Sequence, residues 1–219
     1  MILPTPHRYF REDQKMATTI DDATTLRKRY GTVSRTAALK QLPKLDKHCR
    51  HFISRSPFLV MATSDAEGRC DASPKGDLPG FVTVQDDTTL LIPDRLGNNR
   101  VDSLENILAN PHVGLIFFLP GYQETLRVNG KARISTDPDL LGATAHAGKP
   151  PKSVIVVTVE EAYMHCGKAL IRAHLWDPGR HIEKGSFPTL ARIVSDQIAE
   201  VDEAEAEEHI DDTYKNRLY

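Results

Sequence analysis

The segment LIPDRLGNNRVDSL, residues 91–104, runs from an apolar strand pattern into a Gly/Asn turn and then places Arg100 at the opening of a helical pattern. A phosphate group favours this order, because a helix start offers unpaired amides and the positive end of the dipole, with a guanidinium fork beside them. Asn98, Asn99 and Arg100 are therefore candidate phosphate ligands. A capped helix that opens with a surface arginine has the same sequence, so the segment alone leaves both readings open.

A second segment, RCDASPKGD at residues 69–77, sets small residues, a proline and a glycine around Lys75. Small side chains let a flat ring approach the backbone, whose amides can bond its polar edge, while a lysine balances negative charge on the ring. An ordinary turn with a solvated lysine is the alternative. The third segment, ETLRVNGKARI at residues 124–134, has the alternation of a long strand and a glycine that predicts a bulge. Thr125 and Arg127 fall on one face of it. Arg127 suits a phosphate or a substrate carboxylate, and equally an acid on a neighbouring strand.

Two His/Cys groups invite a metal reading: His48, Cys49 and His51, and His165 with Cys166. Neither gathers a third placed ligand for zinc, and nothing activates Cys166 as a nucleophile, so no metal is assigned. The sequence also has no GxGxxG and no GxxxxGK[ST], which disfavours a Rossmann dinucleotide site and a P-loop.

The elements that must position these residues are legible in the periodicity. Helical spacing from Thr36 through Leu39, Leu42, Leu45, Cys49, Phe52 and Ile53 predicts two helices, the second starting at Pro43. Strands are expected at residues 58–62, 69–73, 81–84, 89–92, 113–118, 124–134 and 154–165, with a hairpin turn at 65–68. A helix over residues 99–108 would turn Val101, Leu104, Ile107 and Leu108 inward, and Asp137-Pro138 reads as an N-cap and a first-turn proline. One amphipathic helix is expected from about Ser186, with Leu190, Ile193, Val194, Ile198 and Val201 inward, followed by carboxylates from Glu200 to Asp212 at a solvated helix end or tail. Such regular strand spacing suggests a closed antiparallel barrel, mainly β with flanking helices. The domain reading is an arm at 1–30, a barrel domain with N-terminal helices at 31–185, and a C-terminal helix with an acidic tail at 186–219.

Composition narrows the class of partner. The 219 residues suffice for one full core, and 28 Lys and Arg against 30 Asp and Glu leave no positive field for nucleic acid or an anionic membrane. A small-molecule partner is expected instead. Three cysteines without CxxC spacing suit a reducing compartment, and no apolar run has signal-peptide or membrane-spanning length. The expected location is the cytoplasm.

SPFLVMATSD, CDASPKGDLPGFV, LLIPDRLGNNRVDSLENIL, NPHVGLIF, ETLRVNGKARI and HCGKALIRAHLWDP succeed one another in the chain. Together, over about residues 30 to 200, they resemble the pyridoxamine 5'-phosphate oxidase-related FMN-binding proteins. The resemblance implies a six-stranded split β-barrel and a homodimer that holds FMN at two equivalent interface sites. By position it implies that Arg69, Asp71, Ala72, Ser73, Pro74 and Lys75 line the isoalloxazine and that Ile92 and Pro93 add a further flavin contact. Asn99 and Arg100, beside Asn98, match the pair that grips the FMN phosphate. Thr125 falls where the pyridoxamine phosphate oxidases place a glutamine near the ring, and Arg127 shares its face. Lys168, Arg172 and Trp176 lie in the segment that reaches toward the partner's flavin.

The resemblance implies, as function, an FMN-dependent oxidoreductase that moves a hydride between a nicotinamide or other reductant, NAD(P)H among them, and a small acceptor. A protein that holds FMN, haem or a deazaflavin without turnover is the alternative on the same barrel. LIRAHLWDPG stands where true pyridoxamine phosphate oxidases carry an arginine and histidine substrate motif, so oxidation of vitamin B6 is not implied.

Overall fold

The structure, a computed structural model, describes residues 19–219. The expected N-terminal arm thus lies outside the described residues up to residue 18. Its remainder holds a helix, α1 (Ala23–Tyr30), begun by the Asp22 carboxylate accepting from the Thr25 amide and ended by Gly31 at φ 74°. The chain divides into two compact units at Ala38/Leu39, close to the end of the short α2 (Arg35–Leu39).

The second unit is built on one antiparallel sheet of seven strands: β1 (Phe58–Ser64), β2 (Cys70–Gly76), β3 (Thr83–Val84), β4 (Thr89–Pro93), β5 (His112–Phe118), β6 (Thr125–Ser135) and β7 (Val154–His165). Their order is β2-β1-β5-β6-β7-β4-β3, and the ladder does not close between β2 and β3. The expected closure and six-stranded split barrel thus reduce to an open antiparallel sheet of seven strands, in which β3 pairs with β4 alone.

Register follows from alternation, since opposed residues on paired strands point to the same side. Leu59, Met61 and Thr63 of β1 oppose Phe117 and Leu115 of β5 on one side and Lys75, Ser73 and Asp71 of β2 on the other. The apolar members of this inner face join Leu126, Val128, Ile155, Val157, Leu90 and Ile92 in the main core. Each such side chain stabilises the fold by ~1.5–3 kcal/mol. On the outer face, Leu91, Val154 and Val156 pack against Leu140 and Leu141 of α5 (Pro138–Ala143), which is capped by Asp137 as expected.

The predicted bulge is present, with a register shift between Asn129 and Gly130. A Cβ at Gly130 would collide with the Thr158 carbonyl oxygen, so only glycine fits there.

The helices differ from expectation in their starts. Pro43 begins no helix: Leu42 forms a bridge with Ala162, and α3 (Lys47–Arg55) starts at Asp46, whose carboxylate accepts from the His48 and Cys49 amides. A carboxylate satisfies two free amides where the proline ring satisfies none. Leu39 is exposed, while Cys49, Phe52 and Ile53 enter the core. The helix α4 (Asp102–Ala109) starts three residues later than predicted, so Val101 and Leu108 face solvent and Ser103, Asn106 and Ile107 face inward.

After α6 (Lys168–Ala173), the single helix expected from Ser186 is two: α7 (Leu190–Gln197), capped by Thr189, and α8 (Glu203–Asn216), capped by Asp202. They pack on each other, Ala191 and Ala206 are their buried residues, and the acidic run lies inside α8. Among the described residues no helix is long and apolar enough to cross a membrane.

Candidate functional site

Edge strand β2 presents two rows. Asp71, Ser73 and Lys75 lie on the inner side, sharing the face of the core residues Thr63, Met61 and Leu59, while Ala72 and Pro74 point outward opposite Ala62 and Val60. Proline suits this edge because no further strand requires its missing amide. Ser73 and Lys75 are half-buried, and among the described residues no ion pair involves Lys75.

The helix α4 packs against β1, β2 and β6 and fixes the Asp71 end of this row. The Asn106 side-chain amide, 8 % exposed, donates to Thr63 Oγ1 at 3.0 Å and to Asp71 Oδ2 at 2.7 Å. The loop before α4 is unusual. Asn99 and Val101 both adopt left-handed backbone, at φ 58° and 54°, on either side of Arg100. For a β-branched valine this conformation carries strain, and residues alternating in this way turn successive amides toward one point, an arrangement that cradles anions.

Val101 contributes no side-chain cap, and the amides of Asp102 and Ser103 make no hydrogen bond among the described residues. Lys152 brings a second cation, its Nζ 3.4 Å from Asn99 Oδ1. The Arg100 guanidinium itself rests on Asp102 at 2.9 Å. That hydrogen bond, then the charge of the same carboxylate and a smaller contribution from Asp71, hold Arg100 above its ordinary pKa. The uncapped amides, Arg100 and Lys152 therefore suit a terminal phosphate, and the small inner row of β2 suits a ring beside it.

Other residues singled out in the sequence lie elsewhere. Arg69 is in the β1–β2 turn, ion-paired to Asp65 and Glu67, which is the local reason it does not face the row. Ile92 is fully buried in the core and Pro93 pairs with Val154 on the outer side. Thr125 and Arg127 do share a face, the outer one, opposite to the Ser73 and Lys75 row. There Arg127 and Lys40 stand 5.4 and 5.6 Å from the Tyr163 ring, and Lys40 Nζ donates to the Met164 carbonyl. Burial, then the Arg127 and Lys40 charges, lowers the pKa of nearby His165. Lys168 and Arg172 are exposed on α6, and Trp176 Nε1 donates to the Tyr122 carbonyl of its own chain at 2.8 Å.

Four residues of this region, Asn106, Lys152, Asp77 and Arg95, have no spacing that assigns them a role, although Asp77 closes the 69–77 segment. Asn106 and Arg95 lie within the 90–108 segment, but only the packing of α4 and the curl of the sheet give them partners. Of the cysteines, Cys49 is buried, which pushes its thiol up to about 11 and makes it inert as a nucleophile.

A family model described as pyridoxamine 5'-phosphate oxidase matches residues 45–166, more than half of the chain. The chain belongs to the pyridoxamine 5'-phosphate oxidase family. The matched span of this pyridoxamine 5'-phosphate oxidase family member begins just before α3 and ends after β7, so it contains the β2 row and the α4 cradle but not α6, α7 or α8.

Among solved structures the chain is similar to HupZ of Group A Streptococcus, at 20% identity over 56% of this chain and 98% of that one, TM-score 0.46. It is similar also to General Stress Protein 26 of Bacillus anthracis, at 15% identity over 52% and 88%, TM-score 0.42. A third is HutZ, the heme storage protein of Vibrio cholerae, at 14% identity over 56% and 94%, TM-score 0.38. No curated protein matches the sequence.

Proposed function

We propose that this chain is an FMN-binding oxidoreductase that passes a hydride or electrons between a reductant such as NAD(P)H and a small-molecule acceptor. One arrangement carries the reading: left-handed Asn99 and Val101 flank Arg100 at an uncapped helix start, next to the β2 row that ends in Lys75. When bound, FMN supplies the two-electron chemistry.

The chain's own residues then bind and tune. Arg100, the Asp102 and Ser103 amides and Lys152 hold the terminal phosphate. Arg100 must leave Asp102 to do so, and an exposed ion pair of this kind contributes little to stability, so the exchange costs little. Lys75 balances negative charge at the polar edge of the ring, and Ser73 beside it leaves room for the ring to lie along the inner side of the strand.

A homodimer belongs to the same reading. Thr125 and Arg127 face away from the β2 row, so within one chain the two sets cannot meet on one ligand. The outer face also leaves Val60, Ile116 and Phe118 partly uncovered, a surface that a second copy would bury.

The test is the absorption spectrum of freshly purified protein, followed by denaturation and identification of the released chromophore, with mass measured in solution. Flavin bands, released FMN and twice the chain mass are expected. A colourless protein that takes up no FMN at micromolar concentration overturns the reading, and a Soret or deazaflavin band replaces it with the binding-protein alternative.

A further inference from the structure

Beyond the cofactor row, three elements converge on a second recess, of about 170 Å³, lined among others by Asp77 after β2, Arg95 after β4 and His146 after α5. Asp77 has a side chain only 1% exposed, and it is fully engaged: Arg95 Nε donates to Oδ2 at 2.6 Å, and the Leu78 amide donates to Oδ1 at 2.7 Å. Oδ1 also accepts from the Tyr219 hydroxyl at 2.7 Å, and His146 Nδ1 stands 3.9 Å from the same oxygen. The Tyr219 ring lies parallel to the His146 imidazole, with centroids 3.8 Å apart and planes 8° apart.

Tyr219 reaches this place by its side chain alone. Neither Leu218 nor Tyr219 makes a main-chain hydrogen bond among the described residues, α8 packs on α7, and the tyrosine remains 41% exposed. A ring with so little burial and no backbone tie is a displaceable occupant. What it occupies is defined chemically: a charged acceptor oxygen for one hydroxyl, and a flat ring for one aromatic face.

Arg95 holds the acceptor in place, with its Nε on Asp77 and its Nη1 on the Thr144 carbonyl at 3.0 Å. The oxygen that the Tyr219 hydroxyl meets, Asp77 Oδ1, accepts, so the ligand group placed there must donate.

We infer that the Asp77–Arg95–His146 recess is a binding site for a small hydroxyaryl molecule, whose position the Tyr219 side chain takes in the resting chain. The inference does not rest on a flavin being bound, because every residue it uses lies outside the phosphate cradle and the β2 row.

The probe is p-cresol, the tyrosine side chain as a free molecule, with toluene as its counterpart lacking the hydroxyl. Both are titrated by calorimetry into the full chain and into Tyr219→Ala. Freeing the recess of its tethered competitor should tighten p-cresol binding roughly tenfold or more, and toluene should bind the variant at least ~10-fold more weakly than p-cresol. Saturation transfer from bound p-cresol should reach the His146 ring protons. Absence of measurable p-cresol binding to either protein, an affinity that Tyr219→Ala leaves unchanged, or equal binding of toluene overturns the inference and makes Tyr219 an anchor of the α8 segment only.

Discussion

Asp77 and Arg95 follow strands β2 and β4, which stand near opposite ends of the sheet order, yet their side chains meet at 2.6 Å. The ladder does not close by backbone pairing, so this ion pair, with Asp77 buried and Arg95 18% exposed, is a tie between β2 and β4 that the hydrogen-bonded strands do not provide.

Breaking the tie should be costly. Replacing Arg95 with Ala leaves a buried carboxylate without its counter-ion, and loss of about 2 to 3 kcal/mol is expected in urea unfolding, below the ~3–5 kcal/mol of a fully buried pair because Arg95 keeps some solvent. An Arg95→Ala protein with an unchanged urea midpoint would show that the pair is not a structural tie.

The same pair predicts a pH dependence. Burial raises the Asp77 pKa, but the Tyr219 hydroxyl, the Leu78 amide and Arg95 together outweigh it, leaving the carboxyl below its ordinary value of 3.8. A depressed folded pKa means that the unfolded chain takes up the proton first. The stability from Asp77 is therefore fully present above pH 3.8 and is lost as pH falls through the folded value. Acid titration of thermal stability should show this component in the wild type and lack it in Asp77→Asn, measured as the difference between the two curves.

Gly130→Ala tests the bulge. The added Cβ would overlap the Thr158 carbonyl oxygen, backbone that cannot swing aside, and a loss of about 3 kcal/mol is expected by urea denaturation. A fall of under ~0.5 kcal/mol would mean that β6 and β7 slide apart freely at this point.

Asn106→Leu removes the donor shared by Thr63 and Asp71 while keeping the volume. A loss of about 1 to 3 kcal/mol is expected, together with a looser FMN complex because Asp71 anchors the β2 row to α4. Differential scanning calorimetry and a flavin-fluorescence titration read the two effects separately.

The cofactor residues are separable by variant. Arg100→Ala should weaken FMN binding roughly tenfold or more if the guanidinium meets the phosphate. Arg69→Ala should leave that affinity unchanged, since its guanidinium is held by Asp65 and Glu67 in the turn. Lys75→Ala should bind FMN but shift its two-electron potential downward by roughly 30 mV, equivalent to ~1.4 kcal/mol less stabilisation of the reduced anion. A potential that does not move in Lys75→Ala removes that residue from the ring's environment.

Much of the architecture could be anticipated from neighbouring residues. The β1–β2 hairpin, the Asp137 cap, the span of β7 and the bulge at Gly130 each depend on a handful of adjacent positions, and all four are present. The same local reasoning erred at Pro43, Val101 and Ile198, where a carboxylate cap, a left-handed residue and a helix break displaced the boundary. In each case the apolar period ran beyond the helical backbone, before its start at Pro43 and Val101 and past its end at Ile198, because burial of a side chain and hydrogen bonding of its amide are set by different neighbours.

By itself the sequence determined the strand alternation, the turns, the Asp137 cap and the ordered motifs that mark the family, for these are local in the chain and act through backbone preference and the periodic burial of side chains. Only the tertiary structure decided that Lys152 stands beside Asn99, that Asp77 meets Arg95, and that Tyr219 lies on His146 with its hydroxyl on a carboxylate 142 positions away. The reason is that such pairings depend on how far a twisted sheet curls and where its covering helices come to rest. Those are sums of many small packing terms over the whole unit, and no stretch of adjacent residues contains them.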